Sequence, residues 1–555
     1  MTDLSSTPDL RRHDGFDTSV LIIGGGPVGL ALALDLSQRN IDSTIVEQGD
    51  GIVRLSKMGL VSMRSMEYCR RWGIADRVRD CGFPLDYPLS QVFCTSLVGH
   101  LIAKIEYPSM AQESANGLSP EKKQRCPQLW FDPILAGAVK ERDNVDVRYN
   151  SVLKSFSQDE DGVTAMVQEQ GEDAVRPLRA QYLVGCDGAG STVRKALGIT
   201  LEGDQALSYS VGIYFRAPGL VKYHNMGPAE RYMLIGEEGT WGNLTVVDGS
   251  DVWRLTVLGT QDKVEDAGFD ADYWLRRCLG RNDVPYQIDA VMPWRRSRLV
   301  ADAYCKGRVF LAGDACHVMA PNGGYGMNTG LGDAIDLSWK LQAVLQGWAG
   351  PDLLASYEIE RQPIAQRNVN AAAQNFSTMA PKLDFAHVED NDAVGAAARS
   401  RMETQMSVGT RQEWEPHGIN LGYRYEGSPI VCADGSPATE DHPSHYLPTA
   451  RPGHRAPHVP LADGTSIIDL FGDTFVLLTF GQPVAADAIV GAAKALGIPL
   501  RHQHIVEAQA AKAYERRFVL VRPDGHVAWR ADTLPSDPAA VLRTVVGMTN
   551  AVVLN

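Results

Sequence analysis

Apolar runs that stop abruptly at a glycine turn, and then give way to helical spacing, recur along this chain. Thr18 to Ile23 is an apolar run of strand length; GGGPVG follows it, LALALDLSQRN has helical character, and STIVEQ ends a second strand at Glu47. AQYLVGCDGAGSTVRKALG repeats strand, acid-glycine turn and helix, carrying Asp187, Gly188, Gly190 and Arg194. The stretch Gly307 to Leu341 does so again, with a buried strand at Val309 to Leu311, a turn at Asp314, and loop glycines Gly323, Gly324 and Gly326. Its helix follows from Leu331, Ala334, Ile335, Leu337 and Leu341, which return to one face at helical spacing.

Between these units the pattern changes. Ser62 to Trp72 predicts a helix near the basic residues Arg54, Lys57, Arg64, Arg70 and Arg71, which either neutralise a ligand or sit on a solvated face. Residues 86–120 have little periodicity and are expected to form an excursion. RCPQLWFDPILAGAVKER resumes a helix, with Asp132 before Pro133 as its N-terminal signal. Val145 to Gln168 alternates as a small meander. From Ser208, SYSVGIYFRAP, RYMLIGEE, WGNLTVVDG, DVWRLTVLG and YQIDAVMPW predict an antiparallel sheet whose Tyr214, Arg216, Tyr232, Trp241, Asn243 and Trp253 are candidates for a pocket wall. Helices are expected over Pro351 to Met402 and a linker over 411–460, and the tail from Ile467 reads βαβββα, the outline of a small thioredoxin-type α/β layer.

Composition narrows the function. The 555 residues are too many for one core, and the net charge of −14 disfavours a polyanion-binding surface, so nucleic acid is set aside. Val20 to Leu36 is interrupted by glycines, Pro27 and Asp35, so no membrane span is predicted. The nine cysteines have no C-x-x-C pair and none lies in the tail, which suits reduced thiols and a cytoplasmic location and removes dithiol chemistry from the tail. A homodimer contact or packing is the tail's expected role. His442, His445, His454 and His458 imitate ligand spacing, but the prolines at 443, 452 and 457 break any helix that would converge them, so no metal is expected.

The chemistry lies in the glycine turns. Strand, G-x-G-x-x-G, helix, strand and acid is the dinucleotide fingerprint: Gly24 makes the tight turn, Gly26 lets the backbone approach a pyrophosphate, and Gly29 allows close helix packing. Glu47 is placed to accept ribose hydroxyls. Asp187 either takes a ribose hydroxyl or caps the helix behind it.

Taken together, GGGPVG with Glu47, the GCDG turn with Arg194, and GDACHVMAPNGGYGMN closely resemble the single-component FAD-dependent aromatic hydroxylases, the class A flavoprotein monooxygenases of the para-hydroxybenzoate and phenol hydroxylase kind. RPGHRAPH and VRPDGHVAWR are similar to the cysteine-free thioredoxin-like tail of the longer members. The resemblance implies a Rossmann-like FAD-binding domain of GR2 type in three parts (1–85, 121–200, 296–410), a substrate domain (86–120 and the antiparallel sheet 201–295), a linker (411–460) and a thioredoxin-like domain (461–555). It assigns Gly24, Gly26, Pro27, Val28, Gly29, Glu47 and Gln48 to the AMP half of FAD, with Gln128 near the cofactor. Asp187 and Gly188 match the turn implicated in FAD and pyridine nucleotide binding, and Asp314 matches the residue at the ribityl or pyrophosphate region. Pro321 would lie beside the reacting edge of the flavin, with Gly324, Gly326 and the N–H groups of Met327 and Asn328 facing its pyrimidine edge. The chain departs at LSKM, where many relatives read H-P-R-A and Lys57 replaces the arginine.

The implied activity is hydroxylation of a small phenolic substrate with NAD(P)H and O₂ through a flavin C4a-hydroperoxide. Removal of a nitro or halo substituent and polyketide tailoring are alternatives on the same machinery. A halogenase is disfavoured by the missing W-x-W-x-I-P, and a dehydrogenase or oxidase would not need the P-x-G-G-x-G-M-N loop. A phenol of pKa about 10 is only ~0.1% ionised at neutral pH, so a cation or a relay beside it is required; Arg216 and Tyr232 are the candidates by position.

Overall fold

The computed structural model describes residues 15–260, 268–378, 383–409 and 415–548. A parallel sheet buried on both faces permits continuous apolar strands, and all six residues of Thr18–Ile23 are buried. This strand pairs in parallel with Ser43–Val46 on one side and Val175–Gly185 on the other; Val145–Arg148 and Val309–Leu311 extend the sheet, again in parallel. All three sequence turns therefore emerge at the carboxyl ends of adjacent strands. Helix Pro27–Gln38, with Pro27 in its first turn, is buried from Gly29 to Ser37 and packs against helix Tyr325–Leu345.

A second sheet runs in the order His317–Val318, Gln287–Ala301, Leu201–Arg216, Val252–Thr260, Gly239–Val246, Arg231–Gly236, Gln91–Cys94 and Leu101–Ile105. The stretch 86–120 supplies its last two strands. One face carries Phe215, Tyr232, Leu234, Leu244, Trp253 and Leu255 into a core shared with helix Ala271–Leu279. Strand alternation aims the intervening side chains the other way, toward the first sheet.

The tail sheet has the order Leu500–Ile505, Phe475–Phe480, Phe518–Val521, Val527–Ala531, its first pair parallel and the rest antiparallel, as in a thioredoxin fold. Two local expectations give way. An alanine-rich helix, Ala508–Tyr514, stands between strands expected to follow one another directly. Helix Gln128–Lys140 begins before Asp132, so Pro133 lies inside it; Asp132 caps nothing but accepts from Gln128 Nε2 at 2.9 Å, and burial pushes its carboxyl up to about 7.

Buried charge ties the tail to the helices behind the glycine turns. Arg522 donates to Glu360 Oε1 (2.6 Å), Asp336 Oδ1 (3.0 Å) and Asp524 Oδ2 (2.7 Å), while Lys340 bridges Asp336 and Glu360 at 2.7 and 2.6 Å. Nearby, Glu67 pairs with Arg64 at 2.7 Å and with Arg455. Removing one member of such a network strands the others without water. Arg522→Met is expected to lower the unfolding free energy of the holoenzyme by about 3–5 kcal/mol, whereas loss of the exposed Arg216–Asp289 pair is expected to change it by about 0–1 kcal/mol. Denaturant titration of both variants checks this, and equal midpoints would refute it. His526, buried beside Tyr423 and Tyr425, is pushed down to about 4 by burial despite Asp524. Its unfolded value is about 6.5, so its contribution to stability is complete above that pH and is lost as pH falls toward 4. The His526→Phe variant should show a shallower loss of stability over that window.

Candidate active site

The two sheets face each other across a cavity of about 1060 Å³. Its floor is the fingerprint. Gly24 sits at φ +106°, and a Cβ there would lie 2.4 Å from the Cys186 carbonyl oxygen, so the turn closes onto the GCDG turn only as glycine. At Gly26, by contrast, a Cβ would meet nothing within 4 Å: the backbone lies open to the cavity, as approach of a pyrophosphate requires. Gly29 does not line the cavity; it packs the helix on the strand, where a Cβ would reach 2.0 Å from Gly24 O.

The acids at the strand ends are fixed by backbone donors. Glu47 accepts from Gly25 N at 2.7 Å and Gly49 N at 2.6 Å. Asp187 accepts from Ser191 Oγ (2.5 Å), Thr192 N (2.6 Å) and Val193 N (3.1 Å), so it does cap its helix, and it also borders the cavity beside Gly188. Arg194 crosses from that helix to Ala315 O at 2.9 Å and braces the next turn. In that turn, the surrounding protein pushes the Asp314 carboxyl above the usual range while its accessible face opens on the cavity.

Pro321, Gly324, Gly326 and Met327 line the junction of the two walls. Gly324, at φ +66°, caps helix Tyr325–Leu345, whose first-turn N–H groups have no intrahelical acceptor. The Asn328 side chain turns away: Oδ1 accepts from Ser62 N (2.9 Å) and Ser65 Oγ (2.6 Å), and Nδ2 donates to Leu60 O (3.1 Å) and Gly324 O (2.7 Å). It pins the loop 55–60 to the helix start. Gln128 lines the cavity and binds that loop through Lys57 N, 3.1 Å from its Oε1; Pro27, Val28, Gln48 and Lys57 line it too.

The opposite wall is the antiparallel sheet, and here the structure departs from expectation. Tyr232 faces the core, its hydroxyl donating to Gly227 O at 2.6 Å, because Tyr232, Leu234, Trp253 and Leu255 share the buried parity. Arg216 ends its strand outside the cavity and pairs with Asp289 at 3.0 Å, its side chain 62% exposed. Neither is brought to the site. Of the other wall candidates, Tyr214 and Asn243 do line the cavity while Trp241 and Trp253 are buried in the core with Tyr232, and Arg231, Thr245, Arg254, Thr256, Met292, Trp294 and Arg296 complete the wall. Polar residues at every second position of VWRLTVLG, between Trp253, Leu255 and Val257, were the available signal. Phe376, from helix Asp352–Thr378, closes one end.

Glycine turns on a buried parallel sheet, facing a second glycine-rich loop across a cavity walled by an antiparallel sheet, define a flavoprotein of the para-hydroxybenzoate hydroxylase fold. Residues 17–372 match the family described as FAD binding domain, and residues 449–549 that described as aromatic-ring hydroxylase, C-terminal. The chain belongs to the FAD-dependent aromatic-ring hydroxylases. The tetracenomycin B2 monooxygenase-dioxygenase of Streptomyces olivaceus is 34% identical over 96% of this chain and 98% of its own length. The FAD-dependent monooxygenase apdD of Emericella nidulans is 33% identical over 94% of this chain and 89% of its own. A solved structure of the rebeccamycin biosynthetic enzyme RebC with reduced flavin is 40% identical, with a TM-score of 0.90, covering 96% of this chain and 99% of that one. FAD is the cofactor. Glu47→Ala removes the acid at the end of the second strand while leaving its backbone donors to water, and is expected to weaken FAD binding roughly 10- to 100-fold. Flavin absorbance per polypeptide after gel filtration reports it; undiminished flavin content would refute the placement.

Proposed function

We propose that the enzyme hydroxylates a phenolic ring with NAD(P)H and O₂ as co-substrates. The observation that carries the reading is one continuous cavity with the Gly26 turn, Asp314 and Pro321 on one wall and Tyr214, Thr256, Met292 and Trp294 on the other. Bound FAD supplies transfer of reducing equivalents and activation of O₂. The chain's own residues do the rest. Gly26 and the Asp187 turn receive the dinucleotide, Gln128 and Asn328 hold the loop 55–60 against it, and the start of helix Tyr325–Leu345 presents N–H groups and a positive dipole end where negative charge accumulates.

The substrate ring is held against the sheet. Met292, Trp294, Leu258 and Phe376 exclude water there. Ionisation of the phenol, without which the ring is a poor nucleophile, is favoured by the positive potential of Arg231, Arg254 and Arg296, which takes the role first sought in Arg216. The soluble yellow protein, supplied with NAD(P)H and O₂ and a panel of phenols, is expected to yield a product one oxygen atom heavier with consumption of O₂. If every phenol is returned unchanged, the proposal fails; loss of nitro or halide would move it to substituent removal.

A further inference from the structure

The nine cysteines are all free, and three of them meet behind the cavity lining. Cys81 follows helix Ala75–Arg79, and Cys126 lies between strand Gln124–Arg125 and helix Gln128–Lys140. The Cys81 sulfur is 3.5 Å from Arg125 O, and the Cys126 S–H is directed at the same sulfur. Cys69, with no exposed surface, is the third neighbour. Cys126 is equally buried, whereas Cys81 is part-exposed. Among the described residues the three do not converge as a metal-ligand set.

A thiol reacts as its thiolate, so access alone does not make it reactive. The hydrogen bond from Cys126, helped by the charge of Arg125, outweighs burial and holds the Cys81 thiol down to about 7. Burial pushes the part-exposed thiols of Cys305 and Cys432 the other way, up to about 12 and about 11. The same hydrogen bond, together with burial, raises Cys126, which keeps its proton. An accessible thiolate beside a protonated, buried partner is the arrangement in which an oxidised sulfur is met by a second one.

The pair sits where a small displacement reaches the cavity. Cys126 N donates to Gly59 O and Gln128 N to Met58 O, both at 3.0 Å, and Gln128 Oε1 holds Lys57 N. There is no slack in this seam: a Cβ on Gly59 would fall 2.0 Å from Arg125 Nη1. An S–S bond is roughly 1.5 Å shorter than a contact between two thiols. Closing it draws residues 81 and 126 together, and close packing passes the shift to the segment 57–60.

We propose that Cys81 and Cys126 are a peroxide-responsive thiol pair whose disulfide shifts the loop 55–60 and weakens the hold on FAD. The oxidant is hydrogen peroxide. The Cys81 thiolate attacks one peroxide oxygen; an S–O bond forms, the O–O bond breaks, and the departing hydroxide is protonated by solvent. The Cys126 sulfur then attacks the Cys81 sulfur; the S–S bond forms, the S–O bond breaks, and water leaves with the Cys126 proton. Two thiols lose two electrons and two protons, and the peroxide becomes two waters.

Holding the holoenzyme in hydrogen peroxide at neutral pH is expected to remove two titratable thiols and to leave a polypeptide lighter by two hydrogen atoms, with residues 81 and 126 in one cross-linked peptide. The Kd for FAD, read from flavin fluorescence on dilution, should rise roughly 10-fold, and dithiothreitol should reverse every change. Cys81→Ser should abolish both the cross-link and the change in Kd, while Cys126→Ser should leave on Cys81 a sulfenic acid that dimedone traps. Should either variant fail to retain FAD, peptide mapping and FAD titration of the unaltered holoenzyme decide. A cross-link to Cys69, oxidation that begins at Cys305 or Cys432, unreacted thiols, or a Cys81–Cys126 bond that leaves FAD affinity unchanged would overturn the proposal.

Discussion

The Gly313–Asp314 turn depends on one buried carboxylate. Asp333, on helix Tyr325–Leu345, accepts from Gly313 N at 3.0 Å, His317 Nε2 at 2.7 Å and Arg361 Nε at 2.8 Å, with no exposed surface. Burial alone would push its carboxyl up; the Arg361 guanidinium and then His317 outweigh that and hold it below the ordinary range. A charge so fully removed from water is tolerable only when every donor is in place. The Gly313–Asp314 turn is thereby fixed to the helix whose N-terminus borders the same cavity, and these two parts of the cavity lining are held together. The cluster of Cys316, His317 and Asp333 has ligand-like composition, but its acid is already engaged.

The cavity is then a consequence of parity. In the parallel sheet both faces are covered, so chemistry is confined to strand ends, where glycine turns expose backbone donors. In the antiparallel sheet one face is core, and alternation delivers every second side chain to the opposite face. A shift of one residue in any strand would exchange Tyr232 for Arg231 or Trp253 for Arg254. The bulges between Leu234 and Ile235 and between Tyr209 and Ser210 lie beyond these positions, so the row Arg231, Thr245, Arg254, Tyr214 remains in register.

This distinction explains what could be read from the chain. The fingerprint, the GCDG turn and the glycine loop were legible because each is a local unit in which a strand, a turn and a helix follow one another, and glycines are required by backbone contact alone. The antiparallel sheet was legible as the pocket's wall, and Tyr214 and Asn243 reach the cavity as expected, but the other members were not, because they come from separate strands and their meeting depends on register and on which face is core. Tyr232 and Arg216 were plausible by chemistry and wrong by orientation and depth, respectively. The helix Ala508–Tyr514 was hidden for a different reason: it is a single short segment of alanine and polar residues whose periodicity is too brief to register. At Pro133, tertiary packing overrode a local start signal.

The tail gains its role from the same electrostatic logic. Its sheet carries no cysteine, but the turn that joins its last two strands places Arg522 and Asp524 between helices Tyr325–Leu345 and Asp352–Thr378. Arg64, on the helix after the loop 55–60, donates to Asp524 O at 2.8 Å, and Arg455 reaches Glu67 one turn along that helix. Without the tail, Lys340 would be the cation left to Asp336 and Glu360 among the described residues, and Arg64 would lose one buried acceptor. Those helices also carry Asp333 and Arg361, so a displacement of the tail is transmitted to the Gly313 turn through side chains that have no room to relax. The domain farthest from the glycine fingerprint in sequence thus stands behind the Gly313 turn as its support, joined to it through the charge balance of the buried seam.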